Sequence, residues 1–282
     1  MSAVARSARR AVARWSARRY VAGPDVGDAL AAARLLEPRG FATAIGFWDG
    51  PEETPETVRD RNLAAVTALE RSGLDCYLSL KAKALGFDPA YVVPVLEAAS
   101  RAGVRVHFDS LEPDGVDRSL ALAEEGLRLG GRIGFTLPGR WRRSRADAQR
   151  LIELAVPVRV VKGERTEQGL PAPVGTARRD DFLGVVDVVA GRAPLVAVAT
   201  HDAVLARPAL ERLRAAATPA ELELLYAFPF EPALSVAREL SVPVRVYVGF
   251  GYPWLPYGLR DLRQGRVLGW FVRDVALGRR AR

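Results

Sequence analysis

Residues 75–109, DCYLSLKAKALGFDPAYVVPVLEAASRAGVRVHFD, hold one complete unit of the fold. The runs 75–81 and 103–109 are short and apolar, as strands are. Between them, Asp88 supplies a cap and Pro89 opens the first turn, so 88–102 predicts a helix that stops at Gly103. Pro94 lacks an N–H and predicts a kink or a break in that helix. Strand, helix and strand in about 30 residues make a parallel βαβ unit.

The same unit recurs on both sides. Further strands are predicted near 41–48 (FATAIGFW), 132–137 (RIGFTL), 157–162 (PVRVVK), 194–200 (PLVAVAT), 222–228 (LELLYAF) and 243–249 (PVRVYVG). Segment 57–72 sets Val58, Leu63, Val66 and Leu69 at near-helical spacing and closes on Gly73. Ser144 with Asp147 predicts a capping box for a helix ending near Leu154. Eight strands alternating with helices, at about 25 residues per unit, predict a (β/α)8 barrel. A doubly wound open sheet alternates in the same way. The unbroken series and the lack of Gly-x-Gly-x-x-Gly after the first strand favour closure. With no linker and no low-complexity stretch, we expect one domain over 1–282, preceded by a basic helix at 1–23.

Composition narrows the function classes. The 282 residues are 49% hydrophobic and 26% charged, an ordinary globular balance. No apolar run approaches the roughly 18 residues of a membrane span. A single cysteine, Cys76, excludes a disulfide framework, and with two histidines it argues against zinc. The net charge of +8 suggests nucleic acid. However, the excess gathers in Arg6, Arg9, Arg10, Arg14, Arg18 and Arg19 and in the tail Arg279, Arg280 and Arg282. Between these ends the signs are mixed, so no nucleic-acid partner is expected.

Of 41 basic residues only Lys81, Lys83 and Lys162 are lysine. Such a bias suits a GC-rich coding sequence, and a surviving lysine then marks a place needing a compact ammonium. In a barrel the chemistry lies at the C-terminal strand ends. Those ends offer Lys81, Lys83, His107, Asp109, Arg159, Lys162, Thr200, His201, Asp202 and Tyr247. His107, Asp109, His201 and Asp202 could in principle bind a metal. Four cations crowding the same mouth predict an anionic ligand instead, with no metal.

The segments LSLKAKALGFD, RVHFD at 105–109, RVVKGER at 159–165, ATHD at 199–202, ELELLYAF at 221–228 and RVYVGFGYPWLPYGLRDLRQ at 245–264 resemble, in order and spacing, the proline dehydrogenase family. ARRYVAG at 17–23 also looks like the start of the family's single-function members, which displaces a transit-peptide reading of the Arg-rich start. The resemblance implies a distorted barrel that holds FAD and oxidises L-proline to Δ1-pyrroline-5-carboxylate. It implies a small amino-acid substrate and a quinone as a candidate acceptor, with at most peripheral membrane contact and a cytoplasmic location. A barrel that has lost its flavin chemistry is the alternative.

Carried over by position, Lys81 matches the active-site lysine, and Arg159 the arginine beside the flavin ring. Lys162, Gly163, Thr200 and His201 match cofactor contacts. Tyr247 matches a strand-eight tyrosine. Tyr257 and Arg260 match a closing helix whose arginine binds the substrate carboxylate, a task suited to a two-pronged donor. His107 stands at the usual aspartate on strand three. Further departures are Pro138 for glutamine, Arg165 for tyrosine, Asp261 for a second arginine and Gln264 for an acid. They lead us to expect that L-proline itself is a poor substrate. Lys83, two residues beyond Lys81, is expected to face the same way, so that two close ammoniums lower the pKa of one of the pair. Trp48 is read as packing.

Overall fold

A computed structural model describes residues 21–110, 112–163 and 177–252. Eight parallel strands close into a barrel in sequence order: β1 (Ala42–Trp48), β2 (Cys76–Leu80), β3 (Val106–Phe108), β4 (Ile133–Pro138), β5 (Val158–Val161), β6 (Val196–Ala199), β7 (Ala220–Leu225) and β8 (Val244–Gly251). The described helices are α1 (Val26–Leu36), before β1, and α2 (Pro55–Glu70), α3 (Pro89–Arg101), α4 (Val116–Arg128), α5 (Ser144–Glu153), α6 (Ala177–Val189), α7 (Ala203–Ala215) and α8 (Ala233–Glu239). The (β/α)8 barrel expected from the sequence is therefore formed.

Strand register decides which side chains share a face. Gly46 pairs with Ser79 and Gly249, Ser79 with His107, His107 with Gly134, Thr136 with Arg159, and Arg159 with Ala197. Ala197 pairs with Glu221, Glu223 with Arg245 and Leu225 with Tyr247. Side chains alternate along a strand, so this set lies on one face. That face is the barrel interior, because a methyl on Gly46 would collide with Tyr247 and one on Gly134 with His107. The opposite face carries Ile45, Leu78, Phe108, Phe135, Val160, Val198, Leu222 and Val248, all fully buried among the helices. Each such residue contributes about 1.5–3 kcal/mol, so the sheet–helix layer supplies the apolar stability and the interior is left to polar groups.

Local expectations differ in several places. Helix α3 is one unbroken helix with Pro94 inside it. The N–H that Pro94 lacks would have met the carbonyl of Ala90, an exposed residue whose oxygen water can satisfy. No capping box opens α5: its N-cap is Arg143, Asp147 pairs with Arg143, and Ser144 Oγ donates to Pro138 O at 2.7 Å. Residues 21–23, expected at the end of a helix, are extended beside β8, with Ala22 N donating to Gly249 O at 2.8 Å. The rest of the expected N-terminal helix, 1–20, lies outside the described residues.

Candidate active site

The interior holds a connected set of charges. Arg159, 3% exposed, sends one nitrogen to Asp109 Oδ1 at 2.6 Å and to Ser79 Oγ at 3.3 Å, and the other to Tyr77 Oη at 2.9 Å. Its Nε lies 2.8 Å from Glu223 Oε1, close enough for charge pairing but not aligned as a hydrogen bond. Tyr77 Oη in turn donates to Glu223 Oε2 at 2.8 Å. Burial opposes the Arg159 charge, but Glu223, Tyr77 and Asp109 together hold its pKa well above the ordinary value. Toward the strand starts, Arg245 Nε donates to Glu221 at 2.9 Å and its fork reaches Thr43 O at 2.7 Å. Buried charges persist because each has a partner.

His107 sits among these groups at mid-strand, below the mouth. Its ring stacks on Tyr77 at 5.5 Å and Nε2 lies 3.1 Å from Thr136 Oγ1. Burial, then the charges of Arg159, Arg105 and Arg245, drive its pKa well below the usual histidine value, so it is neutral.

At the mouth, Lys81 is 8% exposed. Its Nζ donates to Phe47 O at 2.8 Å, lies 5.5 Å from the Trp48 ring centre and 3.8 Å from Asp49 Oδ1. Burial pushes its pKa down to about 8, while Asp49, Asp109 and Glu53 pull the other way. Lys83 plays no part in this shift. Strand β2 ends at Leu80, and a 3-10 turn over Ala82–Leu85 rotates Lys83 away to pair with Glu112. Tyr247, on β8, reaches the same indole, its Oη accepting from Trp48 Nε1 at 3.2 Å. Gly249 makes room for that indole: a methyl there would lie 2.6 Å from the ring.

The β4–β6 side is built differently. Pro138, Val161 and Ala199 are register neighbours on the inward face, forming a small apolar shelf above Arg159. A flat ring would lie on it without meeting an uncompensated charge, so these residues fit an isoalloxazine. Gly163, at φ +79°, turns the chain beyond the shelf, where a side chain would strike Pro138. Lys162 pairs with Asp202 at 3.1 Å near the surface and is half exposed, a weak tie that a ligand can displace. Thr200 Oγ1 accepts from Asp202 N at 3.2 Å and keeps its own proton for donation.

His201 is committed to the backbone. Nε2 accepts from Leu225 N at 2.8 Å and Nδ1 donates to Pro229 O at 3.0 Å, while burial lowers its pKa to about 4. The ring thus straps the end of β6 to the segment after β7.

The structure brings Lys81 and Tyr247 together around Trp48, with Arg159 and His107 in the network beneath. Lys162, Gly163, Thr200 and His201 line the β5–β6 side. Tyr257 and Arg260 lie outside the described residues, as do Arg165, Asp261 and Gln264. The four cations expected to crowd the mouth, Lys81, Lys83, Arg159 and Lys162, each face a carboxylate. Trp48, Asp49, Tyr77 and Glu223 were missed as site residues. For Tyr77 and Glu223 the alternation in CYLSL and ELELL was the signal: it sets Tyr77 in phase with Ser79, and Glu221 with Glu223, opposite the leucines.

No family model matches the chain. It is 25% identical over 274 residues to proline dehydrogenase 1 of Bacillus subtilis subsp. natto, covering 92% of this chain and 90% of that one. The protein of the same name from Bacillus subtilis strain 168 is 24% identical over the same share. Among solved structures, proline utilization A from Bdellovibrio bacteriovorus superposes with a TM-score of 0.72 over 85% of this chain, at 17% identity. The Corynebacterium freiburgense protein gives 0.68 over 98%. This chain spans only about a third of those longer proteins, 31% and 33%, and shares the fold with them. With relatives matched along nearly their whole length, and with Lys81 and Tyr247 both reaching Trp48 inside a closed barrel, the chain is similar to the proline dehydrogenases, as a divergent relative.

Proposed function

We propose that this protein is a flavin-dependent dehydrogenase that oxidises the carbon–nitrogen bond of proline, or of a proline-like cyclic or secondary amino acid, to an imine. The observation that carries the reading is Lys81: a buried ammonium at the barrel mouth with its pKa depressed to about 8, beside Tyr247 and Trp48. Strongly shifted groups in a cleft mark functional sites because burying a charge is costly unless it is used. Kinship with proline dehydrogenases supplies the reaction class.

FAD bound on the shelf would take up the hydride from the carbon beside the substrate nitrogen. Pro138, Val161 and Ala199 would support its ring, with Lys162 and Thr200 at its polar edge. Lys81 offers a proton it can hold or release near neutral pH, close to where the substrate nitrogen or carboxylate would lie. Trp48 and Tyr247 close the floor and exclude water. Arg159 brings positive charge beneath the shelf, moderated by Asp109 and Glu223. Beyond the described residues, Tyr257 and Arg260 are the proposed cover and carboxylate anchor. The same residues suit a substrate that is small and amphoteric.

One observation favours a second reading, a barrel without redox chemistry. His201 has both nitrogens spent on backbone and Arg159 is held by Asp109 and Tyr77, so two of the residues matched to cofactor contacts are already engaged within the protein. Titrating purified protein with FAD decides between the two. Flavin-fluorescence quenching that saturates at one FAD per chain supports the dehydrogenase. No quenching at high micromolar FAD supports the non-redox barrel.

A further inference from the structure

Lys81 stands at the end of β2, yet its ammonium is held from the end of β1. Three consecutive residues there engage it: the Phe47 carbonyl at 2.8 Å, the Trp48 ring at 5.5 Å and the Asp49 carboxylate at 3.8 Å. Other charged or titratable groups also face this spot. Asp109, at the end of β3, is engaged by Arg159 at 2.6 Å and by Ser79 at 2.9 Å. Glu53, ahead of α2, accepts from Gly50 N at 2.8 Å. Tyr247, on β8, has its pKa driven far up by burial and is uncharged. His107, on β3, is neutral and turned to Thr136, and Lys83 faces Glu112.

We infer that Asp49 is the positioning residue for Lys81: together with the Phe47 carbonyl and the Trp48 ring, it fixes the ammonium at the mouth and governs how firmly the lysine keeps its proton. The three partners do different jobs. A carbonyl accepts from the protonated and the neutral amine alike, so Phe47 orients without favouring a charge state. An aromatic face favours the cation modestly. A carboxylate at this distance favours it more, because the ammonium end of the pair is buried. Side-chain exposure of about a third, against 7% for the lysine, leaves Asp49 able to exchange partners as a ligand enters. The strand-one residues Phe47-Trp48-Asp49 thus form a cradle for the lysine of the neighbouring strand. This deepens the amine-oxidation reading and rests on it only for the use made of Lys81.

The chain has three lysines, which makes the test direct. Lysine labelled with carbon-13 at Cε gives one resonance each, and Lys83→Arg and Lys162→Arg assign two of them. In protein without flavin or substrate, Lys81 should titrate lowest of the three. Asp49→Asn should lower its midpoint further, by about one pH unit, and Asp49→Glu should restore most of that shift. A merely structural Asp49 would move the melting temperature and leave the midpoint alone. An unchanged Lys81 midpoint in Asp49→Asn, or Asp49→Glu behaving as Asp49→Asn, would overturn the inference. Flavin is absent throughout, so this titration and the FAD titration fail or succeed independently.

Discussion

Single residues show where stability has been given up for a site. The folded-state pKa of Lys81, about 8, lies below its unfolded value, so at neutral pH the fold carries the cost of burying a charge. For a depressed lysine, stability is lost as pH falls through the folded pKa and is fully present above the unfolded one. Relative to a Lys81→Met variant, the wild-type protein should therefore gain on the order of 3 kcal/mol between pH 7 and pH 10.5. Urea denaturation of both proteins across that range measures the difference; a flat difference would place the lysine in water. Glu223 presents the opposite case, a buried charge with a network around it. Glu223→Leu strands Arg159 and the Tyr77 hydroxyl, and should cost about 3–5 kcal/mol in the same assay. A loss below about 1 kcal/mol, the range of an exposed pair, would mean that Arg159 does not depend on Glu223.

At the scale of elements, the strands interlock through missing side chains. Gly134 on β4 leaves the space that the His107 ring on β3 fills, and Gly249 on β8 does the same for Trp48 on β1. Gly134→Ala should destabilise the barrel by about 1–3 kcal/mol through overpacking. Adding His107→Ala should recover part of that loss, a coupling that a double-mutant cycle reads directly. Purely additive losses would show that the two side chains do not meet. The eight strands themselves were legible in the sequence, since each is an apolar run flanked by Gly or Pro. The ends were not. Strand β2 stops at Leu80 because the next turn is a 3-10 helix, and that one-residue difference reverses the expected direction of Lys83. The position of Lys81 just past β2 was legible from pattern, whereas Tyr247, expected at the end of β8, lies in the middle of that strand. The cradle around Lys81 was not legible, because it joins the ends of β1 and β2 through contacts that no local spacing encodes. His201 was legible as a strand-end residue, but not as a strap whose nitrogens are both spent on backbone.

For the whole molecule, apolar strand faces turn outward to the helices and polar ones inward, so stability and chemistry occupy separate layers. The hydrophobic layer keeps the barrel closed while the interior carries Arg159, Glu223, Asp109 and Lys81 in a fixed arrangement. Such a scaffold tolerates rewriting at the mouth without loss of the barrel. The expected outcome is amine-oxidation chemistry with altered substrate preference. One measurement tests that claim most directly: anaerobic mixing of the FAD-loaded protein with L-proline and a panel of cyclic and secondary amino acids, following the flavin absorbance. Bleaching by at least one member of the panel, faster than by L-proline, is expected. A protein that takes up FAD but keeps it oxidised with every member, or one that takes up none, would contradict it.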